Sequence, residues 1–104
     1  MLYISTRGGA EPLPYCDALL EGLATDGGLA VPQEMPSVSP ETLERWRALT
    51  YPQLATEVLA LFATDIERDD LARMTEAAYA PFPDAVVPLR RIGGGITLVG
   101  LSEG

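Results

Sequence analysis

The chain has 104 residues, 47% of them apolar and 21% charged, and its 15 acidic against 7 basic side chains give a net charge of −8. All the basic residues are arginine, and neither lysine nor histidine occurs. Within these residues that excludes a Ser-His or Cys-His nucleophile pair, a histidine-containing zinc site, a lysine-bearing phosphate loop and a Schiff-base lysine, while the acidity argues against nucleic acid, which calls for clustered positive charge.

The length fits one domain over residues 1–104, or a piece of a larger protein. Cys16 is alone, so no internal disulfide forms, which suits a reducing cytoplasm. Met1 to Arg7 lacks the basic stretch and long apolar core of a secretory signal, and the longest apolar run, Val58 to Ala63, is too short to span a bilayer. The expectation is a soluble, cytoplasmic protein.

In chain order, Leu2 to Ser5 reads as a strand that stops at Thr6-Arg7-Gly8-Gly9. Pro12 and Pro14 precede a helix expected from Tyr15 to Ala24, with Leu19, Leu20 and Leu23 as its buried stripe and Asp26-Gly27-Gly28 as its stop. Leu29 to Val31 reads as a short strand closed by Pro32. Ser39 caps a helix that has Pro40 at its first position, and Leu43, Trp46 and Leu49 form its apolar face. Thr50 to Gln53 matches a capping box and opens a helix whose Leu54, Val58, Leu61 and Phe62 keep the spacing of a core face. A further helix is expected from Glu67 to Ala80, with Leu71, Met74 and Ala78 inward and Pro81 and Pro83 after it. Val86 to Leu101 reads as two short strands around Gly93-Gly94-Gly95. The fold class is therefore α/β of the α+β kind: a helical middle of about four helices between short β-strands at both ends. A terminal strand needs neighbours, so Leu98, Val99 and Leu101 are expected on an exposed surface or an edge strand, and the polypeptide is expected to continue past Gly104.

Several groups invite a chemical reading. In the acidic cluster Asp65, Glu67, Asp69 and Asp70, with Glu76, carboxylates fall at the first, third, fifth and twelfth positions of a calcium-loop register, but Asp70 stands at the sixth, where such a loop needs glycine, and the segment from Leu71 has helical periodicity. Acids gathered at a helix N-terminus are the plainer account. Gly93-Gly94-Gly95 offers amides to an anion, yet a strand follows it, which favours a hairpin turn. Arg90 and Arg91 either grip an anion or project from opposite strand faces. Ser5-Thr6-Arg7-Gly8 gathers hydroxyls, a guanidinium and a glycine at a strand end; a turn or a salt bridge is the plainer reading. Cys16 on a helix reads as a packed thiol.

Tyr3-Ile4-Ser5-Thr6-Arg7-Gly8, then Asp17-Ala18-Leu19-Leu20-Glu21-Gly22-Leu23-Ala24, Asp26-Gly27-Gly28-Leu29 and Val31-Pro32, together resemble the N-terminal domain of threonine synthase. The helix order and the Pro-Phe-Pro at 81–83 also fit, so the resemblance covers the whole chain. It implies part of a fold-type II pyridoxal-phosphate lyase that converts O-phospho-L-homoserine and water into L-threonine and phosphate. In that family a position like Gly104 is followed by Pro-Thr and then Ala-Phe-Lys-Asp, whose lysine carries the cofactor. On this resemblance residues 1–104 hold no catalytic, cofactor-binding or metal residue and are inactive alone. Pyridoxal phosphate belongs to the intact enzyme, the catalytic domains of the full-length chain are the partner, and no nucleic acid or membrane is involved. Arg7 is the one candidate for the border of the substrate entrance. Two departures stand out: Ala30 sits where the family commonly has an aromatic residue, and Ser102-Glu103 sits where it often has an aromatic or polar residue followed by histidine. The alternative is a free-standing acidic protein-interaction module without catalysis.

Overall fold

A computed structural model describes residues 1–82 and 89–99. Its elements are β1 (Leu2–Ser5), β2 (Leu13–Pro14), α1 (Tyr15–Glu21), β3 (Ala30–Pro32), α2 (Pro40–Trp46), α3 (Tyr51–Phe62), α4 (Arg68–Tyr79), β4 (Leu89–Gly93) and β5 (Ile96–Val99). Four helices thus lie between short antiparallel strands at both ends, the α+β arrangement expected. Val86, Leu101, Ser102 and Glu103, named above, lie outside the described residues, as does Pro83.

β1 is the middle of a three-stranded antiparallel sheet in the order β2-β1-β3, with Ile4 opposite Val31 and Ser5 opposite Ala30. Its alternation turns Tyr3 and Ser5 inward. The Tyr3 hydroxyl donates to the Phe62 carbonyl at 2.7 Å, which ties the sheet to the end of α3.

α2 and α3 begin as their sequences dictate. Ser39 Oγ accepts from the Thr42 N–H at 3.2 Å, with Pro40 in the first turn. Thr50 Oγ1 accepts from the Gln53 N–H at 3.4 Å while Gln53 Oε1 accepts from the Thr50 N–H at 2.9 Å, a complete capping box. α3 and α4 form the main helix pair. Leu71 and Thr75 are the buried residues of α4, and the Thr75 hydroxyl meets that of Thr56 on α3 at 2.6 Å. Glu57 and Arg68 pair across the rim of the same seam.

Four expectations are corrected. α1 ends at Glu21 rather than Ala24, because Gly22 adopts φ +77°, a left-handed conformation that closes the helix with its N–H on the Ala18 carbonyl. The leucines expected as its buried stripe are exposed, Leu19 by 63% and Leu20 by 86% on α1 and Leu23 by 60% past its end, and Ala18 is the buried residue of α1. The expected stripe fails because Gly22 ends the helix before Leu23, and spacing alone does not say whether this chain covers Leu19 and Leu20. On α4 the inward pair is Leu71 and Thr75, four apart, whereas Met74 and Ala78 are exposed. α2 buries nothing, with Leu43 exposed and Trp46 half-buried.

The resulting core is thin. Its buried apolar side chains are Tyr3, Ala18, Ala63 and Leu71 among the described residues. The radius of gyration is 16.3 Å, where a self-contained domain of this length has about 13 Å. The accessible surface is 7618 Å², where a folded monomer of this mass exposes about 5,700 Å². Large apolar side chains such as Leu20 and Met35 stay exposed.

Candidate functional site

The densest polar constellation joins the turn after β1 to the turn before β3. Asp26 is its hub. One carboxylate oxygen, Oδ1, accepts from the Ser5 hydroxyl at 2.6 Å and from the Gly28 N–H at 2.9 Å. The other, Oδ2, accepts from the Gly9 N–H at 2.8 Å. The Arg7 guanidinium donates to the Asp26 carbonyl at 3.0 Å. Thr6 closes the far side: its N–H donates to the Leu29 carbonyl at 2.9 Å and its Oγ1 accepts from the Leu29 N–H at 3.0 Å. The Ser5 hydroxyl first, then the Gly28 amide, hold the Asp26 carboxyl below the usual carboxylate range.

Glycine is required here for two reasons. Gly27 has φ +83°, and a Cβ on it would lie 2.8 Å from the Arg7 Nη1. Gly28 is buried, and a Cβ on it would lie 2.3 Å from Ser5 Oγ. The stretches Ser5–Gly9 and Asp26–Gly28, separate in the sequence, therefore form one clamp. Its charged members are all engaged with one another or with backbone, so its chemistry is that of a structural joint. Arg7 is part of the joint, with its guanidinium at the exposed surface.

Asp65 has an unexpected role. Its carboxylate accepts from the Cys16 N–H at 3.0 Å and so caps the N-terminal turn of α1, where Pro14 provides no side-chain cap. That amide is the main reason its carboxyl is held below the usual range. Burial, then the bond to Asp65, pushes the Cys16 thiol up, away from the thiolate that reactive cysteines need.

The other acids do not converge with Asp65. Asp69 and Asp70 lie in the first turn of α4, where the helix macrodipole favours them, and Asp70 pairs with Arg73. α4 runs unbroken through Glu76, so the calcium-loop register is occupied by helix. Gly93-Gly94-Gly95 is the turn of an antiparallel hairpin with Gly93 opposite Ile96. Arg90 stands opposite Leu98 and Arg91 opposite Thr97, on the two faces of that hairpin. Leu98 and Val99 are exposed on it, as expected.

Between α1 and the sheet runs a groove of 210 Å³ lined by Tyr3, Tyr15, Ala18, Leu19, Gly22 and Ala30. Ala30 also lines a neighbouring cavity of 170 Å³.

The profile described as "Threonine synthase N terminus" matches residues 2–79. This chain belongs to that family. Among proteins similar to this threonine synthase N-terminal sequence, the threonine synthase of Pseudomonas aeruginosa is 42% identical over 106 residues, covering 100% of this chain and 23% of the relative. Human threonine synthase-like 2 is 37% identical over 107 residues, covering 100% of this chain and 22% of the relative. The crystal structure of the PLP-bound threonine synthase from Brucella melitensis superposes with a TM-score of 0.89 at 40% identity, covering 100% of this chain and 23% of that one. The chain thus spans less than a quarter of the length of the relatives it matches.

Pyridoxal phosphate, named for the Brucella protein, does not fit the residues of this threonine synthase N-terminal chain. No lysine is available to bind it covalently. The Gly93-Gly94-Gly95 turn opens from an exposed hairpin rather than a helix N-terminus, with nothing packed around its glycines, and the Gly9 and Gly28 amides are already taken by Asp26. Ser5 to Gly8 form a turn, the plainer reading of that motif, with the Gly8 N–H donating to the Ser5 carbonyl at 3.0 Å, whereas Asp26 reads from the sequence only as part of a helix stop. Its signal is the Asp-Gly-Gly order, since an aspartate can accept from the amide two residues on. Nothing in the sequence marks Asp65 as the cap of a helix 49 residues away.

Proposed function

We propose that this chain is the N-terminal domain of a threonine synthase, a cytoplasmic pyridoxal-phosphate lyase that converts O-phospho-L-homoserine and water into L-threonine and phosphate. The single observation that carries this reading is the match over residues 2–79 to the family's N-terminal profile. The domain's part is architectural. Its clamp fixes the β1 turn against β3, its helices form a lobe, and its hairpin and α1 offer apolar surface to the catalytic domains of the same polypeptide. The cofactor and the groups that bind the phosphate and carboxylate of the substrate belong to those domains. A surface of net charge −8 repels an anionic substrate and is no place to collect it. Arg7 faces solvent beside the clamp, and it would border the substrate entrance if the catalytic domains meet the clamp.

No helix among the described residues is long and apolar enough to cross a membrane. The interaction-module alternative has no observation of its own in its favour, because the exposed strands it invoked are equally required by a lobe of a larger enzyme.

The test is complementation. A threonine auxotroph lacking threonine synthase should grow without threonine when given the complete natural gene, and should not grow when given residues 1–104. Growth with residues 1–104, or failure of the complete and well-expressed gene, contradicts the assignment.

A further inference from the structure

The residue at the hub of the clamp also carries the bond best suited to destroy it. Asp26 is followed by glycine, no other aspartate of the chain is, and asparagine does not occur. In an aspartyl-glycyl pair the amide nitrogen of the glycine can attack the side-chain carboxyl carbon, and the missing Cβ leaves that approach unhindered. The attacking N–H sheds its proton, a new N–Cγ bond closes a five-membered succinimide, and the carboxyl OH leaves with a proton as water. Water then adds back at either ring carbonyl. Opening on one side restores aspartate. Opening on the other gives isoaspartate, whose main chain runs through Cβ and Cγ. Water is the only other reactant.

In the folded chain each participant is held out of position. The Gly27 N–H donates to the Ala24 carbonyl at 2.8 Å, which fixes the nucleophile in the turn. Asp26 Oδ1 accepts from the Gly28 N–H at 2.9 Å and from the Ser5 hydroxyl at 2.6 Å, and Oδ2 accepts from the Gly9 N–H at 2.8 Å. These donors aim the carboxyl at the amide beyond Gly27. They also keep it ionised, the Ser5 hydroxyl most of all, and an ionised carboxyl has no OH to lose. We propose that the Asp26–Gly27 bond is a latent isomerisation site, kept shut by the clamp and opened when the clamp loosens. The product cannot rebuild the clamp. The free carboxylate of isoaspartate sits directly on Cα, one carbon short of the places that Oδ1 and Oδ2 fill, and the chain between Thr25 and Gly27 is one carbon longer. A prolonged opening of the two turns therefore leaves a permanent covalent mark.

The test ages the complete protein from the natural gene at neutral pH, folded and in urea, at one temperature. Trypsin releases residues 8–45 as one peptide, which holds both Asp26 and Asp17, the latter followed by alanine. Electron-transfer fragmentation then separates isoaspartate from aspartate at each position. In urea, isoaspartate should form several times faster at position 26 than at position 17. In the folded parent, position 26 should isomerise at least tenfold more slowly than in urea. Folded Ser5→Ala, which lacks the hydroxyl donor to Asp26, should fall between the two. Circular dichroism establishes that this variant is folded; the parent comparison needs no variant and decides alone if it is not. Equal rates for the folded and the urea-treated parent overturn the proposal. So does a position 26 no faster than position 17 in urea, or a folded Ser5→Ala that ages like the parent.

Discussion

Replacing Gly28 with alanine probes the clamp at its tightest point. The new Cβ would lie 2.3 Å from Ser5 Oγ, 3.0 Å from Thr6 Oγ1 and 3.1 Å from the Arg7 backbone nitrogen. Ser5 cannot simply swing away, because its hydroxyl donates to Asp26 at 2.6 Å and accepts from the Arg7 N–H at 3.0 Å. Overpacking a well-filled site costs about 1–3 kcal/mol. For a domain of this size each kcal/mol lowers the melting temperature by ~4–8 °C, so Gly28→Ala should melt roughly 5–20 °C lower. The assay is thermal unfolding followed by circular dichroism, with Trp46 fluorescence as a second probe. The partner variant is Ser5→Ala, which removes the nearest clashing atom. If the geometry is right, Gly28→Ala costs less in the Ser5→Ala background than in the parent, with a coupling above ~0.5 kcal/mol. Additive losses, or a neutral Gly28→Ala, would refute the clamp as described.

Three further outcomes are expected. Tyr3→Phe removes the hydroxyl that reaches the Phe62 carbonyl and should cost about 1 kcal/mol; an unchanged urea midpoint would show that this tie is idle. Leu71→Ala should cost about 2–4 kcal/mol, while Met74→Ala stays within about 0.5 kcal/mol, and the reverse order would restore Met74 to the inward face of α4. Asp26 has a folded-state pKa below its unfolded value, so its contribution is complete above about pH 4 and is lost as pH falls through the folded value. The gap in melting temperature between the parent and Asp26→Asn should therefore be widest at neutral pH and shrink below pH ~4; a gap that stays constant down to pH ~2 would mean the carboxylate charge contributes nothing.

Local signals were legible in the sequence, and surfaces were not. The Thr50–Gln53 capping box, the Ser39-Pro40 start and the glycine hairpin turn each rest on a few adjacent residues whose chemistry dictates one backbone path. β1 appears with its expected bounds for the same reason. The stripe Leu19, Leu20 and Leu23 misleads because Gly22 ends α1 before Leu23, and spacing is silent on what covers the other two. Thr56 and Thr75 escape a hydrophobic count because they are buried as a hydrogen-bonded pair rather than as apolar side chains. Asp65 and Asp26 act on segments far along the chain, and such contacts leave no local trace. Within the clamp, the Ser5–Gly8 half stands out as a motif, but its carboxylate centre does not.

The most direct test is a stopped assay of phosphate and threonine formed from O-phospho-L-homoserine, with pyridoxal phosphate in excess, on two purified samples. The complete gene product should form both products in equal amounts, and residues 1–104 should form neither. Product formation by the 104-residue chain, or none from the intact holoenzyme, would contradict the claim that this is the architectural front of a threonine synthase.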